Sequence, residues 1–99
     1  MVRPAIDPES LTDLCRRYRV ARLSLFGSAL RDDFTEASDI DFLVEFLEGA
    51  RVGLMDLAGL ELELAEILGR TVHLSTPGSL SRYFRDEVLR TAVVQYVAA

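Results

Sequence analysis

The sequence has one cysteine, no lysine and no long run of apolar residues. The first and the last of these shortages exclude an internal disulfide and a membrane-spanning segment. A lone Cys15 cannot form an internal disulfide, which is typical of a reducing compartment, and its apolar helical setting predicts a core residue rather than a nucleophile. No apolar stretch approaches the roughly 18–20 residues that span a bilayer, and the N-terminus lacks the charged-then-apolar pattern of a signal peptide. These absences predict a soluble cytoplasmic protein with no membrane contact.

Positive charge is also scarce, because 11 cationic side chains face 16 acidic ones and the net charge is −5. All 11 cations are arginines. A general nucleic-acid binder collects cations that neutralise phosphates, so the acidic balance argues against one. A local group of arginines nevertheless surrounds the start of the first predicted strand; its members are Arg16, Arg17, Arg19 and Arg22. Two interpretations stay open: a solvated helix end that favours the helix dipole, or guanidinium contacts to phosphate or a partner.

The chain has 99 residues, 49% of them hydrophobic, which leaves room for a single domain over residues 1–99 with a packed core. The hydrophobic pattern predicts a helix over 8–18, a strand over 20–26, a short helix or turn over 28–32, a strand over 40–46, a helix over 54–68, a strand over 71–75 and a last helix from near Ser79. Residues 92–97 fit either an extension of that helix or an edge strand. The expected fold class is α/β (α+β), a small mixed β-sheet with helices packed against it.

Two of the predicted helices have stripes that should face the core. The stripe of the 54–68 helix consists of Leu57, Leu60, Leu64, Ala65 and Leu68, while Glu61, Glu63 and Glu66 are expected on its solvated face. The last helix is expected to turn Phe84, Val88 and Leu89 inward.

The most informative motif is Gly27-Ser28 followed, ten residues later, by Asp39-Ile40-Asp41. The first pair follows one predicted strand and the aspartates open the next. Successive side chains of a strand point to opposite faces, so Asp39 and Asp41 share one face about 7 Å apart. Two such carboxylates repel each other unless a cation lies between them or one holds a proton. Oxygen ligands of this kind suit Mg²⁺, which completes its shell with water and substrate phosphates.

The glycine–serine turn suits the phosphates of such a substrate. Gly27 lacks a Cβ, so the backbone can approach a triphosphate closely. Ser28 offers a hydroxyl and a backbone N–H at the start of a helical turn, and Arg31, one turn later, could reach the same anion. Asp39 and Asp41 would hold the metal that bridges those phosphates. The combination predicts chemistry on a nucleoside triphosphate.

The runs 25–31 and 38–46 resemble the minimal nucleotidyltransferase (MNT) domain, the smallest branch of the DNA polymerase beta-like nucleotidyltransferase superfamily. The resemblance extends over nearly the whole chain, and the spacing from Gly-Ser to Asp-x-Asp is its most specific part. It implies a nucleotidyltransferase fold, a triphosphate held by the Gly27-Ser28 pair, and Mg²⁺ or Mn²⁺ held by Asp39 and Asp41. Many MNT proteins are antitoxins encoded beside a HEPN toxin, and some transfer AMP from ATP to a tyrosine of the toxin. The resemblance therefore implies a HEPN-type partner.

One position departs from that family, which presents a third carboxylate on the following strand. Here the strand carries His73, between Val72 and Leu74. Histidine can bind a metal through a neutral imidazole, but it is a poorer ligand for Mg²⁺ than oxygen and adds no negative charge. His73 is therefore either a third metal ligand or a half-buried strand residue. Glu45, four residues after Asp41 on the same face, is either a substitute acid or a surface charge.

Two functions follow from these residues. The first is an enzyme that uses Mg²⁺ or Mn²⁺ to transfer a nucleoside monophosphate, AMP from ATP, to a hydroxyl of a partner protein. The second is a catalytically degenerate binding module that neutralises a partner by contact, through exposed apolar positions on the 54–68 helix or the 93–97 tail. A third reading, an α/β domain whose Asp-x-Asp is only a cap, is disfavoured by the number of matching residues. The leucine-rich helix or an edge strand could also pair the chain with itself or with another chain.

Overall fold

The computed structural model describes residues 6–30, 39–83 and 85–98. Its elements in chain order are α1 (Pro8–Arg17), β1 (Val20–Phe26), a 3₁₀ turn (Gly27–Leu30), β2 (Ile40–Phe46), α2 (Leu54–Leu68), β3 (Val72–Ser75), a second 3₁₀ turn (Pro77–Ser79), α3 (Arg85–Thr91) and β4 (Val93–Val97). No helix in this described part is long and apolar enough to cross a membrane.

The four strands form one mixed sheet in the order β3-β2-β1-β4. Strand β1 is antiparallel to both β2 and β4, whereas β2 and β3 are parallel. A parallel pair needs a crossover connection, and α2 provides it between β2 and β3. The predicted fold, a small mixed sheet with helices packed against it, is confirmed.

Helices α1 and α2 cover one face of this sheet and form the core with it. The buried residues of that core are Leu11, Leu14, Cys15, Val20, Leu23, Leu25, Ile40, Phe42, Val44, Leu60, Leu64 and Val72. The predicted stripe of α2 is confirmed, with Leu60 and Leu64 fully buried and its other members packed against them. Cys15 is also buried, and burial raises the pKa of its thiol to about 12. The thiol is a core group, as predicted.

The last helix differs from its prediction in where it begins. Residues 77–79 form a 3₁₀ turn, in which the Ser79 hydroxyl donates to the carbonyl of Thr76 at 2.9 Å. The turn at 77–79 agrees with the preference of Pro77 and Gly78 for turns, and helix α3 begins at Arg85 rather than near Ser79. Leu89, predicted to face inward, is 44% exposed. Phe84, predicted to do the same, lies outside the described residues.

The tail, which the sequence left open between helix and strand, is the edge strand β4. It follows α3 after a single residue and pairs with β1, with Leu23 opposite Tyr96 and Leu25 opposite Val93. Tyr96 packs against the core from this position. The pairing extends past the strand, since the Ala98 N–H donates to the carbonyl of Ala21 at 2.8 Å.

The opposite face of the sheet is the one that α1 and α2 leave uncovered. Side chains of β2 alternate between the two faces: Ile40 and Phe42 belong to the core, whereas Asp41 and Leu43 point the other way. We call this second surface the open face because α1 and α2 leave it uncovered, although Leu43 is only 2% exposed there. It carries the candidate site at the end where β2 begins and β1 finishes.

Candidate functional site

Asp41 and Gly27 meet where β1 ends and β2 begins. In the antiparallel register Phe26 lies opposite Asp41, so Gly27 follows directly at the edge of the pair. A Cβ on Gly27 would lie 2.7 Å from Oδ2 of Asp41, which is closer than real Cβ contacts come. Gly27 also has a φ of +64°, a left-handed conformation that disfavours any residue with a Cβ. The sequence predicted that Gly27 makes room for a phosphate; the structure adds that it makes room for the Asp41 carboxylate.

His73 and Asp39 form the second contact of the site. Strand β3 runs parallel to β2 with His73 beside Asp41, and the His73 side chain reaches diagonally to Asp39. Nε2 of His73 lies 3.0 Å from Oδ2 of Asp39, and both side chains are 55% exposed. Three of the residues that the sequence singled out, Asp39, Asp41 and His73, therefore meet at one end of two neighbouring strands of the sheet.

The carboxylates at this corner create a negative electrostatic potential, which shows in the titration of His73. The hydrogen bond to Asp39 raises the pKa of His73 above its ordinary value; burial opposes the shift, and the charges of Asp39, Asp41 and Glu61 reinforce it. These carboxylates therefore favour a positively charged group at this end of β2 and β3.

The donor set can be compared with the metal that the sequence predicted. In the described part of the chain no three His, Cys, Asp or Glu side chains are grouped closely enough to hold a metal ion. Mg²⁺ is commonly bound by only one or two carboxylates together with substrate phosphates and water. The two oxygen donors Asp39 and Asp41 fit such a shared site, and the three-ligand set with His73 stays a prediction.

The residues predicted to bind phosphate are described only in part. Gly27 begins the 3₁₀ turn, and Ser28 follows it in the same turn, directly after β1. The position of the turn agrees with the predicted start of a helical turn. The side chain of Ser28 and the whole of Arg31 lie outside the described residues, so their predicted contacts with phosphate stay predictions.

Glu45, the substitute acid considered from the sequence, has a different partner. It lies opposite Arg22 in the β1–β2 register, and its Oε2 is 3.6 Å from Nε of that arginine. This cross-strand ion pair supports the reading of Glu45 as a surface charge and shows that Arg22 has a carboxylate neighbour.

Two glutamates of α2 do more than the sequence indicated. Glu61 accepts the backbone N–H of Leu74 at 2.9 Å, which satisfies a donor of β3 at the sheet edge. Glu63 accepts hydrogen bonds from Arg17, at 2.9 Å, and from the hydroxyl of Tyr18. Both had been predicted as solvated charges. No local signal could have found these contacts, because their partners are 13 to 46 residues away in the chain.

The arginine group at the start of β1 lies at the far end of that strand from Gly27. A cleft of about 260 Å³ opens here, lined by Arg17, Tyr18, Arg19, Arg51, Val52 and Asp56. Arg17 is bound to Glu63, which supports the structural interpretation for this member of the group. The arginine group and the two aspartates therefore do not form one site.

The fold and this corner of two strands define a class of protein. The sequence profile of the nucleotidyltransferase domain family matches residues 8–96, and the chain belongs to this family. A candidate protein adenylyltransferase of Methanocaldococcus jannaschii is 44% identical over 77 residues, which are 78% of this chain and 81% of that protein.

Solved structures narrow the class. A candidate minimal nucleotidyltransferase superposes with a TM-score of 0.71 at 38% identity, over 87% of this chain and 86% of that one. A toxin–antitoxin structure with AMP-PNP superposes with a TM-score of 0.72 at 21% identity, over 94% of this chain and 75% of that one, which establishes a common fold. The resemblance to minimal nucleotidyltransferases inferred from the sequence is confirmed.

Proposed function

We propose that this chain is a nucleotidyltransferase that uses Mg²⁺ or Mn²⁺ to transfer AMP from ATP to a hydroxyl of a partner protein, with residues 1–99 acting as one domain in the cytoplasm. The observation that carries the proposal is the corner of β1 and β2, where the Asp41 carboxylate packs against the Gly27 turn and Asp39 directly precedes the same strand. A carboxylate pair beside a phosphate-type turn is the arrangement that nucleotidyl transfer requires.

The relatives support the choice of nucleotide and partner. One relative is a candidate protein adenylyltransferase, and a toxin–antitoxin of the same fold has been solved with AMP-PNP, an analogue of ATP. By its resemblance to the MNT antitoxins, the partner is a HEPN-type toxin. Transfer of AMP to that toxin would neutralise it by modification.

Each residue of the site has a part in the proposed reaction. The backbone N–H groups of Gly27 and Ser28 would bind the triphosphate, and Arg31 would add a guanidinium contact. Asp39 and Asp41 would hold the divalent ion, which supplies positive charge to the phosphates. The partner's hydroxyl oxygen forms the new bond to the α-phosphorus and loses its proton, while the bond to the bridging oxygen breaks and pyrophosphate leaves.

A second function, neutralisation by contact alone, is favoured by exposed apolar side chains at the two places where it was predicted. Leu54 and Met55 are almost fully exposed at the start of α2, and Leu62 is exposed further along the same helix. Val94 and Val97 are exposed on β4. Such side chains suit a partner interface, which the enzyme and the binding module would both need.

Label transfer from α-labelled ATP to the partner tests the enzyme directly. Lysate of the source organism, supplemented with Mg²⁺ or Mn²⁺, is mixed with the wild type, Asp41→Asn or Asp13→Asn, and resolved on a denaturing gel. Asp13 is an exposed carboxylate on α1, so its variant is a matched control for loss of charge. We expect a labelled band with wild type and with Asp13→Asn, and at least a 100-fold loss with Asp41→Asn.

Equal labelling by Asp41→Asn would exclude this site. If wild type labels nothing, and a variant with both Asp39→Asn and Asp41→Asn still holds the partner without nucleotide, the binding module is the better description. Release of the partner by that double variant would instead exclude contact alone.

A further inference from the structure

We infer that the arginine cleft at the far end of β1 from the aspartate site, together with the apolar start of α2 beside it, binds a segment of the partner protein that carries both acidic and apolar side chains. We call this region, which consists of Arg19, Arg51, Val52, Leu54 and Met55, the docking surface. The inference rests on the proposed function for the existence of a protein partner. It assigns a use to arginines that the aspartate site does not employ.

The first argument is the charge of the cleft. Three arginines and one carboxylate, Asp56, are among its lining residues. Arg17 is paired with Glu63 at 2.9 Å, which leaves Arg19 and Arg51 in excess over that carboxylate. Both side chains are exposed, and neither has a hydrogen bond or ion pair with the described part of the chain. In a chain with a net charge of −5, this local excess of guanidinium groups favours a ligand that brings carboxylates.

The second argument is the backbone of Arg19. Its φ is +58°, and among the described residues it is the only one other than glycine with a positive φ. Arg19 follows Tyr18, the C-cap of α1, and its N–H donates to the carbonyl of Arg16 at 3.2 Å. Glycine is the usual residue at such a helix end, because a side chain there costs free energy. An arginine in this strained position therefore indicates a use for its guanidinium group.

The third argument is the apolar surface beside the cleft. Val52 lines the cleft and also lines a second recess of about 370 Å³, to which Phe46, Leu54 and Leu57 contribute. Leu54 and Met55, on the first turn of α2, are 85% and 87% exposed. A free phosphate or nucleotide in the cleft would leave these side chains in water. A protein segment with acidic and apolar residues would pair with the arginines and cover the apolar side chains as well.

The distance to the aspartate site also suits a protein ligand. Strand β1 has seven residues, Val20–Phe26, between the arginine cleft and Gly27. At about 3.3 Å per residue it separates the two places by roughly 20 Å. A folded partner can span this distance, so that one segment occupies the docking surface while a hydroxyl elsewhere on the partner reaches Asp39 and Asp41.

Short fluorescein-labelled peptides test the docking surface without the enzyme reaction. The first peptide combines glutamate and leucine residues, the second has glutamine in place of every glutamate, and the third has serine in place of every leucine. We expect fluorescence anisotropy to show binding of the first peptide and at least about 10-fold weaker binding of the other two. Inorganic triphosphate should compete with the first peptide less well than an unlabelled copy of that peptide does.

Each opposite result overturns the inference. Equal binding of the glutamine peptide would exclude recognition of carboxylates, and equal binding of the serine peptide would exclude the apolar contacts. Triphosphate that competes as well as the unlabelled peptide would mean that the cleft is a phosphate site. Failure of the wild type to bind the first peptide would exclude the docking surface altogether.

Variants of the chain locate the contact. Arg19→Glu combined with Arg51→Glu should weaken binding of the first peptide at least about 10-fold. The control is Arg90→Glu, an exposed arginine in the last turn of α3, which should bind like wild type. It is distant from the cleft, because α3 leads into Val93, which pairs with Leu25 near the Gly27 end of β1.

Arg19→Gly distinguishes a binding role from a structural one. Glycine relieves the strain at the positive φ, so we expect a higher temperature of thermal unfolding together with weaker peptide binding. Unchanged peptide binding in Arg19→Gly would mean that the arginine serves only the helix end, and would overturn its place in the docking surface.

Label transfer separates this inference from the proposed function. The variant with Arg19→Glu and Arg51→Glu should label less of the partner in lysate, yet bind Mn²⁺ like wild type, because the aspartates lie at the other end of β1. If the wild type labels a partner and this variant labels it equally, the docking surface is wrong and the enzyme stands. If the wild type binds the first peptide but labels nothing, the proposed enzyme is wrong and the docking surface stands.

Discussion

The two faces of the sheet divide stability from chemistry. On the face covered by α1 and α2, Ile40 and Phe42 are fully buried among leucines. On the open face, one residue along, Asp41 lies beside Gly27 and His73. Because strand side chains alternate, a seven-residue strand serves both purposes with neighbouring residues. Substitutions on the covered face should therefore lower mainly the free energy of unfolding, and substitutions at the open-face site should impair mainly function.

The largest expected effect on stability comes from the covered face. Phe42→Ala removes a ring with 0% exposure from the centre of the sheet, and we expect it to lower the free energy of unfolding by about 3–5 kcal/mol. The control is Leu62→Ala, at a position 67% exposed on α2, which should change it by less than about 0.5 kcal/mol. Urea denaturation followed by circular dichroism measures both. Similar losses in the two variants would contradict the division between the faces.

An intermediate loss of stability is expected at Gly27, beside Asp41 at the open-face site. Gly27→Ala and Gly49→Ala both place an alanine at a positive φ, which costs about 1–2 kcal/mol by strain alone. Only at Gly27 does the new Cβ meet Asp41, whereas nothing lies within 4 Å of a Cβ at Gly49. We therefore expect similar losses of stability from both, but a loss of Mn²⁺ binding of at least 10-fold from Gly27→Ala alone.

This pair of glycine variants is measured by thermal unfolding and by Mn²⁺ titration. Equal Mn²⁺ affinities in the two variants would mean that the Asp41–Gly27 contact does not shape the site. A much larger loss of stability at Gly27 would mean that the open-face corner also supports the fold.

The smallest effect is expected for a polar contact between the helices on the covered face. Hydrogen bonds from Tyr18 and Arg17 lower the pKa of Glu63 below its ordinary value of 4.5. A carboxyl with a lowered pKa stabilises the folded state above its unfolded pKa, and this contribution is lost as the pH falls through the folded pKa. Because the pair is partly exposed and screened by solvent, Glu63→Gln should cost no more than about 1 kcal/mol at pH 7. The difference from wild type should shrink as the pH falls below 4.5 and through the lowered pKa of Glu63.

Urea denaturation at pH 7, 5 and 3 checks this pH dependence. Glu66→Gln, an exposed change on the same helix, is the control and should show little difference from wild type at any of these pH values. A difference between Glu63→Gln and wild type that grows at low pH would contradict the sign.

The elements with strong local patterns could be predicted from the sequence. Strands β1 and β2 have short apolar runs with alternation, and α2 has a complete apolar stripe ending at Gly69, so each appears where the sequence placed it. The end of the chain could not be predicted in this way. Residues 93–97 are compatible locally with helix and strand, and their pairing with β1 decides between the two.

The candidate site, too, could be predicted from the sequence only in part. By itself the sequence determined that Asp39 and Asp41 share a face, since strand geometry has a period of two residues. Only the tertiary structure brought Asp41 against Gly27 and His73 to Asp39, which is 34 residues away in the chain. The physical reason is that register between strands is fixed by pairing across the whole sheet. A local pattern specifies which face a side chain takes, and the packed sheet decides which neighbour it meets there.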